Sequence, residues 1–328
     1  MQILVLHPGA LGDIILSLPA LQILREKFPN AGITLAADID SAGAIANGYA
    51  DQILSLSSLP LHRLFRSGTI PPGDELLWRS YDRIISWTGF GAEAFAKQFT
   101  RLHPHVLVAA WKPEVGDGRH VARLFIDSLR PWLIPPPAIP LPEIRLDAAA
   151  RLGGAEWLRE QGWQGERPLF ALNPGAGSAA KRWPPSRFLE LGQRLRTVGD
   201  LLIIEGPAEP GLGRDLAGEL GPGAYLAANL PLRSLAAVLS HCRVFVGNDS
   251  GISHLAAGLR IGCVVLFGPT LPEHWGPLGP QVTVLRDAGN CVACVQETGA
   301  GHACLECIPT EAVGKQIDRL GVLQRIYP

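Results

Sequence analysis

The chain has 328 residues, a net charge of −1, and a sequence that is 47% hydrophobic and 18% charged. Such a length carries two domains with separate cores, and such a composition excludes a disordered chain. The near-zero charge supplies no field for nucleic acid, so no nucleic-acid partner is expected.

The first element is a short buried strand over residues 3–6. No basic segment precedes it, so no signal peptide is expected. HPGALGD then turns into a helix over about 13–28, with Ile14, Leu18, Leu21 and Leu24 at helical spacing. Strands are predicted for AGITLAA (31–37), DQILSL, a segment near 84–87, and HVLVAAW (105–111), with helices between them. This alternation predicts a parallel sheet. PWLIPPPAIPLPEI (131–144) is proline-rich and extended, the approach to a linker. LDAAARLGGAEWLREQGW reads as a helix. A second α/β unit opens with PLFALNPGAGS (168–178) and continues through LLIIEG (201–206), VFVGN (244–248) and CVVLFGP (263–269).

The predicted fold class is therefore α/β, with two Rossmann-like domains whose parallel sheets face a central cleft. The expected boundaries are 1–150, 151–310, and a C-terminal helix over 311–328 able to pack back on the first domain. Every apolar run is short and interrupted, so no membrane-spanning helix is expected. Six cysteines in so long a chain do not make a secreted disulfide scaffold. A cytoplasmic location is expected.

The most informative stretch is GNDSGISHLAAGL (247–259), set between two apolar runs. Asp249, Ser250, Gly251 and His254 fall where a strand turns into a helix. Backbone N–H groups at a helix start suit a phosphate, and open α/β sheets bind ligands at that end. NPGAGSAAKRWP (173–184) supplies Gly177, Ser178 and Lys181 after another strand. Small residues let backbone approach a phosphate, and hydroxyl and ammonium add polar contacts. It is not a Walker A loop, because Ala180 precedes Lys181. By itself it reads first as a plain turn. Asp13 opens the first-half helix, where it is either a cap or a general base. Glu205 ends a strand and Glu209 follows it, and both are candidates for ribose hydroxyls or simple loop acids. Residues 61–130 carry ten Lys/Arg against seven Asp/Glu, plus His62, His103, His105 and His120. That bias fits an anionic partner or an ordinary solvated face. Cys291, Cys294, Cys304 and Cys307 form two Cys-x-x-Cys pairs, which can hold a structural zinc, form disulfides, or pack as thiols.

These motifs, in this order, resemble the lipopolysaccharide heptosyltransferases of glycosyltransferase family nine. The matching pieces are ILVLHPGALGDIILSLPAL, ALNPGAGSAAKRWP, VGNDSGISHLAAGLRIGCVVLFGPTLPEHWGPLG and CLECIPTEAV. The resemblance implies a GT-B enzyme that moves a heptose from ADP-heptose to a lipid-linked, anionic core saccharide with inversion. It implies Asp13 as the catalytic base, Ser178 and Lys181 on the diphosphate, and Glu209 (with Glu205 as fallback) on the ribose. It implies Asp249 and His254 on the sugar. The acceptor-binding basic segment falls near His62, Arg63 and Arg66, with peripheral contact on the inner face of the inner membrane. No cofactor is implied for the chemistry, and the zinc reading rests on the cysteine spacing alone. Another GT-B transferase or epimerase, or a non-catalytic sugar-nucleotide-binding protein, stays open beside this reading.

Overall fold

Each half of the chain builds a parallel sheet, because its central strands are short apolar runs covered on both faces. The computed structural model describes residues 1–66, 68–114, 116–287 and 305–321. The chain divides into two compact units, Met1–Arg145 and Leu146–Pro328.

In the first unit the strands are β1 (Gln2–Leu6), β2 (Gly32–Ala37), β3 (Gln52–Ser55), β4 (Arg83–Ser86) and β5 (Val106–Val108). They lie in the order β3-β2-β1-β4-β5, and every pairing is parallel. Ile3 to Leu6 are fully buried, which places β1 at the centre. β5 is shorter than the predicted strand, since only Val106–Val108 pairs with β4 at the sheet edge. Helix α1 (Leu11–Lys27) starts earlier than predicted and keeps Pro19 inside it. Its side chains are buried almost all round because it packs on α2 (Ile39–Ile45) and α5 (Val121–Asp127) as well as the sheet.

In the second unit the strands are β6 (Leu169–Asn173), β7 (Asp200–Glu205), β8 (Ala224–Ala228), β9 (Val244–Asn248), β10 (Gly262–Phe267) and β11 (Val282–Arg286). Their order is β11-β10-β9-β6-β7-β8, again all parallel. β6 and β9 are central neighbours, with Asn173 opposite Gly247. Strand order reverses between them, so the loops leaving them part and open a crevice at their carboxyl ends. Helices α7 (Pro185–Arg196), α8 (Leu212–Leu220) and α10 (Gly251–Gly258) follow β6, β7 and β9. The edge strands β8 and β11 carry no strong sequence signal, being short and only half-buried.

The sequence reading set residues 311–328 apart. Over Thr310–Arg319 they belong instead to the second unit's core. Val313 and Ile317 are fully buried with Trp183 and Phe188, and Thr310 Oγ1 donates to Glu190 at 2.7 Å. The helix is amphipathic, and α7 and β10 cover its apolar face. Among the described residues, no helix is long and apolar enough to cross a membrane.

Candidate active site

The second unit's site is framed by two asparagines that the sequence reading passed over. Asn173 and Asn248 close β6 and β9, and both are buried. Asn248 Oδ1 accepts from the Trp183 N–H at 2.9 Å, and its Nδ2 donates to Pro174 O at 2.9 Å. Asn173 Nδ2 donates to Ser250 Oγ at 3.1 Å. Each amide thus ties its strand end to the loop leaving the other strand. Their signal in the sequence was a polar residue ending an otherwise apolar strand on each side of the reversal.

The loop after β6 holds Gly177 and Ser178, both exposed, then a short turn over Ala179–Lys181. Lys181 Nζ donates to Asp249 Oδ2 at 2.7 Å, and Thr270 Oγ1 donates to the same oxygen at 2.6 Å. Asp249 is nearly closed off, its side chain 7% exposed against 31% for Lys181. Ser250 stands at the N-cap position of α10, Gly251 begins the helix, and His254 is buried within it. Lys181, Asp249 and Ser250 are therefore brought together. Thr270, further along the same matching stretch but not singled out in the sequence, completes the cluster.

Beside it lies a pocket of ≈ 200 Å³. Gly175, Gly177, Ile204, Ala227, Leu235 and Ser250 contribute to its wall, as do both candidate glutamates. The two carboxylates differ. Glu205 is buried, and burial alone would raise its pKa. The backbone N–H groups of Arg214, Gly211 and Gly213 outweigh that and hold it below the usual range. Arg214 N donates to Glu205 Oε2 at 2.9 Å, so this carboxylate is engaged at the start of α8. Glu209 is pushed above the usual range by burial, against the opposing Arg182 guanidinium and the Gly206 N–H. Its Oε2 is buried without a hydrogen bond. It lies tight against the phosphate-side loop: a Cβ on Gly175 would come within 1.7 Å of Glu209 Oε1.

In the first unit, Asp13 is the third residue of α1 rather than its cap. Its Oδ2 accepts from the Ala10 N–H at 3.1 Å, so the capping contact is made from inside the first turn. Gly9 makes room for it: a Cβ there would meet Asp13 Cβ at 2.5 Å and His7 Cε1 at 2.8 Å. His7 is fully buried and stacks near Phe125 and Trp87, with centroids 5.3 and 5.5 Å away. Its Nδ1 accepts from the Gly9 N–H at 3.0 Å. Burial drives its pKa down to about 3, so the ring is neutral. The sequence reading did not single His7 out.

Of the acceptor candidates, Arg63 is paired with Asp74 at 2.7 Å, and Arg66 is exposed. The buried Gln98 amide holds that loop by donating to Arg66 O and Gly68 O, both at 3.0 Å. His62 edges an open pocket with Asp38, Ser55 and Ser57. His103 and His120 are tied to backbone, the latter capping α5. Cys291, Cys294 and Cys304 lie outside the described residues. Cys307 ends the turn Leu305–Cys307 and is exposed. Among the described residues, no group of three or more His, Cys, Asp or Glu could hold a metal ion.

Two Rossmann-like units with a polar, helix-capped crevice in the second are the fold of GT-B glycosyltransferases. The family model for glycosyltransferase family 9 (heptosyltransferase) matches residues 83–303, and the chain belongs to that family. It is a glycosyltransferase. A lipooligosaccharide heptosyltransferase 2 of Haemophilus influenzae is 28% identical over 316 residues, covering 87% of this chain and 88% of the relative. The structure is similar to that of a family 9 glycosyl transferase from Veillonella parvula DSM 2008. There the TM-score is 0.77 at 22% identity, over 97% of this chain and 96% of the other. The ADP-heptose LPS heptosyltransferase II of E. coli gives a TM-score of 0.71 at 22% identity, over 98% of each chain.

Proposed function

We propose that the chain transfers a heptose from ADP-heptose to a lipid-linked, anionic core saccharide of lipopolysaccharide, with inversion at the anomeric carbon. The observation that carries this reading is the cluster of Lys181, Asp249 and Ser250 beside the Glu209 pocket, in a chain of the heptosyltransferase family. Glu209, with acceptor capacity unspent, takes the ribose hydroxyls, while Glu205 serves α8. Lys181, Ser178 and the N–H groups at Ser250 and Gly251 receive the diphosphate. Asp249 and His254 face the transferred sugar.

Asp13 takes the proton of the acceptor hydroxyl. The oxygen bonds to the anomeric carbon as the bond to the diphosphate oxygen breaks, and ADP leaves from the opposite face. Charge grows on that diphosphate, which is where fixed positive groups lower the barrier. No cofactor is needed for these steps. The acceptor is met by peripheral membrane contact from the cytoplasmic side. Asp74 offsets much of Arg63's charge, so Arg66 contributes more to that attraction. The four late cysteines have the ligand count of a structural zinc, beside the alternatives of disulfides or packed thiols.

The test is product analysis. The full chain is incubated with a truncated core acceptor and a panel of nucleotide sugars. A heptosylated product of inverted configuration, formed only from ADP-heptose, is expected. Turnover with a different nucleotide sugar, or epimerised donor without transfer, overturns the reading.

A further inference from the structure

Arg182 sits next to Lys181 yet does not line the donor pocket, whereas Glu209 does. Its Nη2 donates to Ala176 O at 3.2 Å and lies 3.6 Å from Glu209 Oε2. One guanidinium therefore spans the loop after β6 and the loop after β7. Two polar atoms at this junction, Arg182 Nε and Glu209 Oε2, are buried without a hydrogen bond.

We propose that Arg182 is a positioning residue for the donor site: it acts through Glu209, fixing that carboxylate between the two loops so that it meets the ribose hydroxyls of the bound nucleotide. The proposal rests on the reading of this pocket as the nucleotide site. The guanidinium hangs from a rigid post. Trp183 beside it is fully buried, receives Asn248 Oδ1 on its N–H, and donates Nε1 to Ile308 O at 2.9 Å. Glu209 in turn packs directly on the Gly175 backbone, in the place a Cβ there would occupy.

The charge of Arg182 matters as much as its reach. Two influences favour the protonated acid at Glu209: burial, and the carboxylate of Glu205 at the end of β7. Two oppose them, Arg182 and the Gly206 N–H. A carboxylate accepts from two ribose hydroxyls at once, while a protonated acid spends one oxygen as a donor. Removing Arg182 therefore shifts Glu209 toward the form that binds ribose less well, and frees its side chain to move.

Calorimetric titration of ADP into the full chain, between about pH 5 and pH 9, tests this. The wild-type chain should bind ADP more tightly as pH rises through a carboxyl ionisation. Arg182→Met should weaken ADP about tenfold near neutrality and move that step to higher pH. Glu209→Gln should abolish the step. In the Glu209→Gln background, Arg182→Met should add less than about a twofold loss, because the two act as one unit. Donor KM should rise while kcat at saturating donor holds within about threefold. Additive losses, an unmoved pH step, or a fall in kcat as large as the rise in KM would show Arg182 acting on the phosphates directly, and would overturn the proposal. Failure of the underlying nucleotide reading looks different, since the wild-type chain then binds no ADP at any pH. Should Arg182→Met not fold, Arg182→Gln carries the same test, and the wild-type and Glu209→Gln pH profiles stand without it.

Discussion

Lys181→Ala separates two roles that one ammonium fills. Lys181 neutralises Asp249, and on the proposed reading it meets the diphosphate of the bound donor. Truncation leaves a carboxylate that is 7% exposed with only the Thr270 hydroxyl on its contacted oxygen. A buried group that loses its partner costs about 1–3 kcal/mol, and a fully desolvated charge more. The lysine end is 31% open to solvent, so the lower part of that range applies, about 1–2 kcal/mol. For a unit of this size that lowers Tm by about 2–8 °C. The effect on ligand is separate. A charge-assisted bond to a phosphate oxygen is worth about 1.5–3 kcal/mol, or about 10- to 150-fold in ADP affinity. Combining Lys181→Ala with Asp249→Asn discharges the stranded carboxylate, so Tm should recover while ADP affinity stays low. Thermal melts and ADP titration of the single and double variants read both quantities. A Lys181→Ala chain that melts early yet binds ADP within twofold of wild type would refute the phosphate role and leave Lys181 as a counter-ion for Asp249.

Glu205→Gln should destabilise the second unit by about 1 kcal/mol, through the weakened start of α8, while ADP affinity stays within about twofold; equal losses of ADP affinity in Glu205→Gln and Glu209→Gln would erase the distinction drawn between them. His7, with a pKa of about 3 when folded against an ordinary 6.5, binds its proton more readily when unfolded, so its stabilising contribution is complete above pH 6.5 and declines as pH falls toward 3. Between pH 6.5 and about pH 5 that contribution drops by about 2 kcal/mol, and chemical denaturation of His7→Gln should show a correspondingly flatter acid dependence. Asp13→Asn keeps an oxygen for the Ala10 N–H and should fold and bind ADP normally, yet turn over about 10²–10⁴-fold more slowly; near-normal turnover would reduce Asp13 to a helix contact. Elemental analysis of protein purified without chelator decides between the cysteine readings: one zinc per chain, lost in Cys294→Ser, supports a structural site, and metal-free protein of full stability dismisses it.

Much of the architecture was legible because its signals are local. Apolar runs such as LLIIE and CVVLF, each closed by a turn, mark central parallel strands wherever they occur. The edge strands of the second sheet were not legible. AYLAA and VTVLR are half-buried, so their composition is not forced by a core, and they pair only because β7 and β10 present an edge to them. In the site, Lys181, Asp249 and Ser250 were visible as motif residues on their loops. Thr270 and Arg182 lay in the same stretches without a role of their own, since their importance comes from a partner far along the chain: Asp249 is 21 residues from Thr270, and Glu209 sits on another loop. His7 was hidden for another reason. A lone histidine after a strand carries no spacing signal, and only the enclosing Trp87 and Phe125 reveal that it must stay neutral.

The two units solve one positioning problem in the same way. Gly9 and Gly175 each follow the central strand of their sheet, and neither has the left-handed backbone that glycine alone tolerates easily. What each supplies is space. Asp13 and His7 occupy the place where a side chain on Gly9 would stand, and Glu209 occupies that place on Gly175. A carboxylate packed against bare backbone has little room to choose another rotamer. It is held before any substrate arrives, by close packing and by an Ala10 N–H in one unit and an Arg182 guanidinium in the other. Preorganised acids lose less conformational freedom on binding, which is where a flexible surface carboxylate would forfeit affinity. Gly9 and Gly175 therefore act through the carboxylates they admit, whereas the Cβ position of Gly177 faces open space.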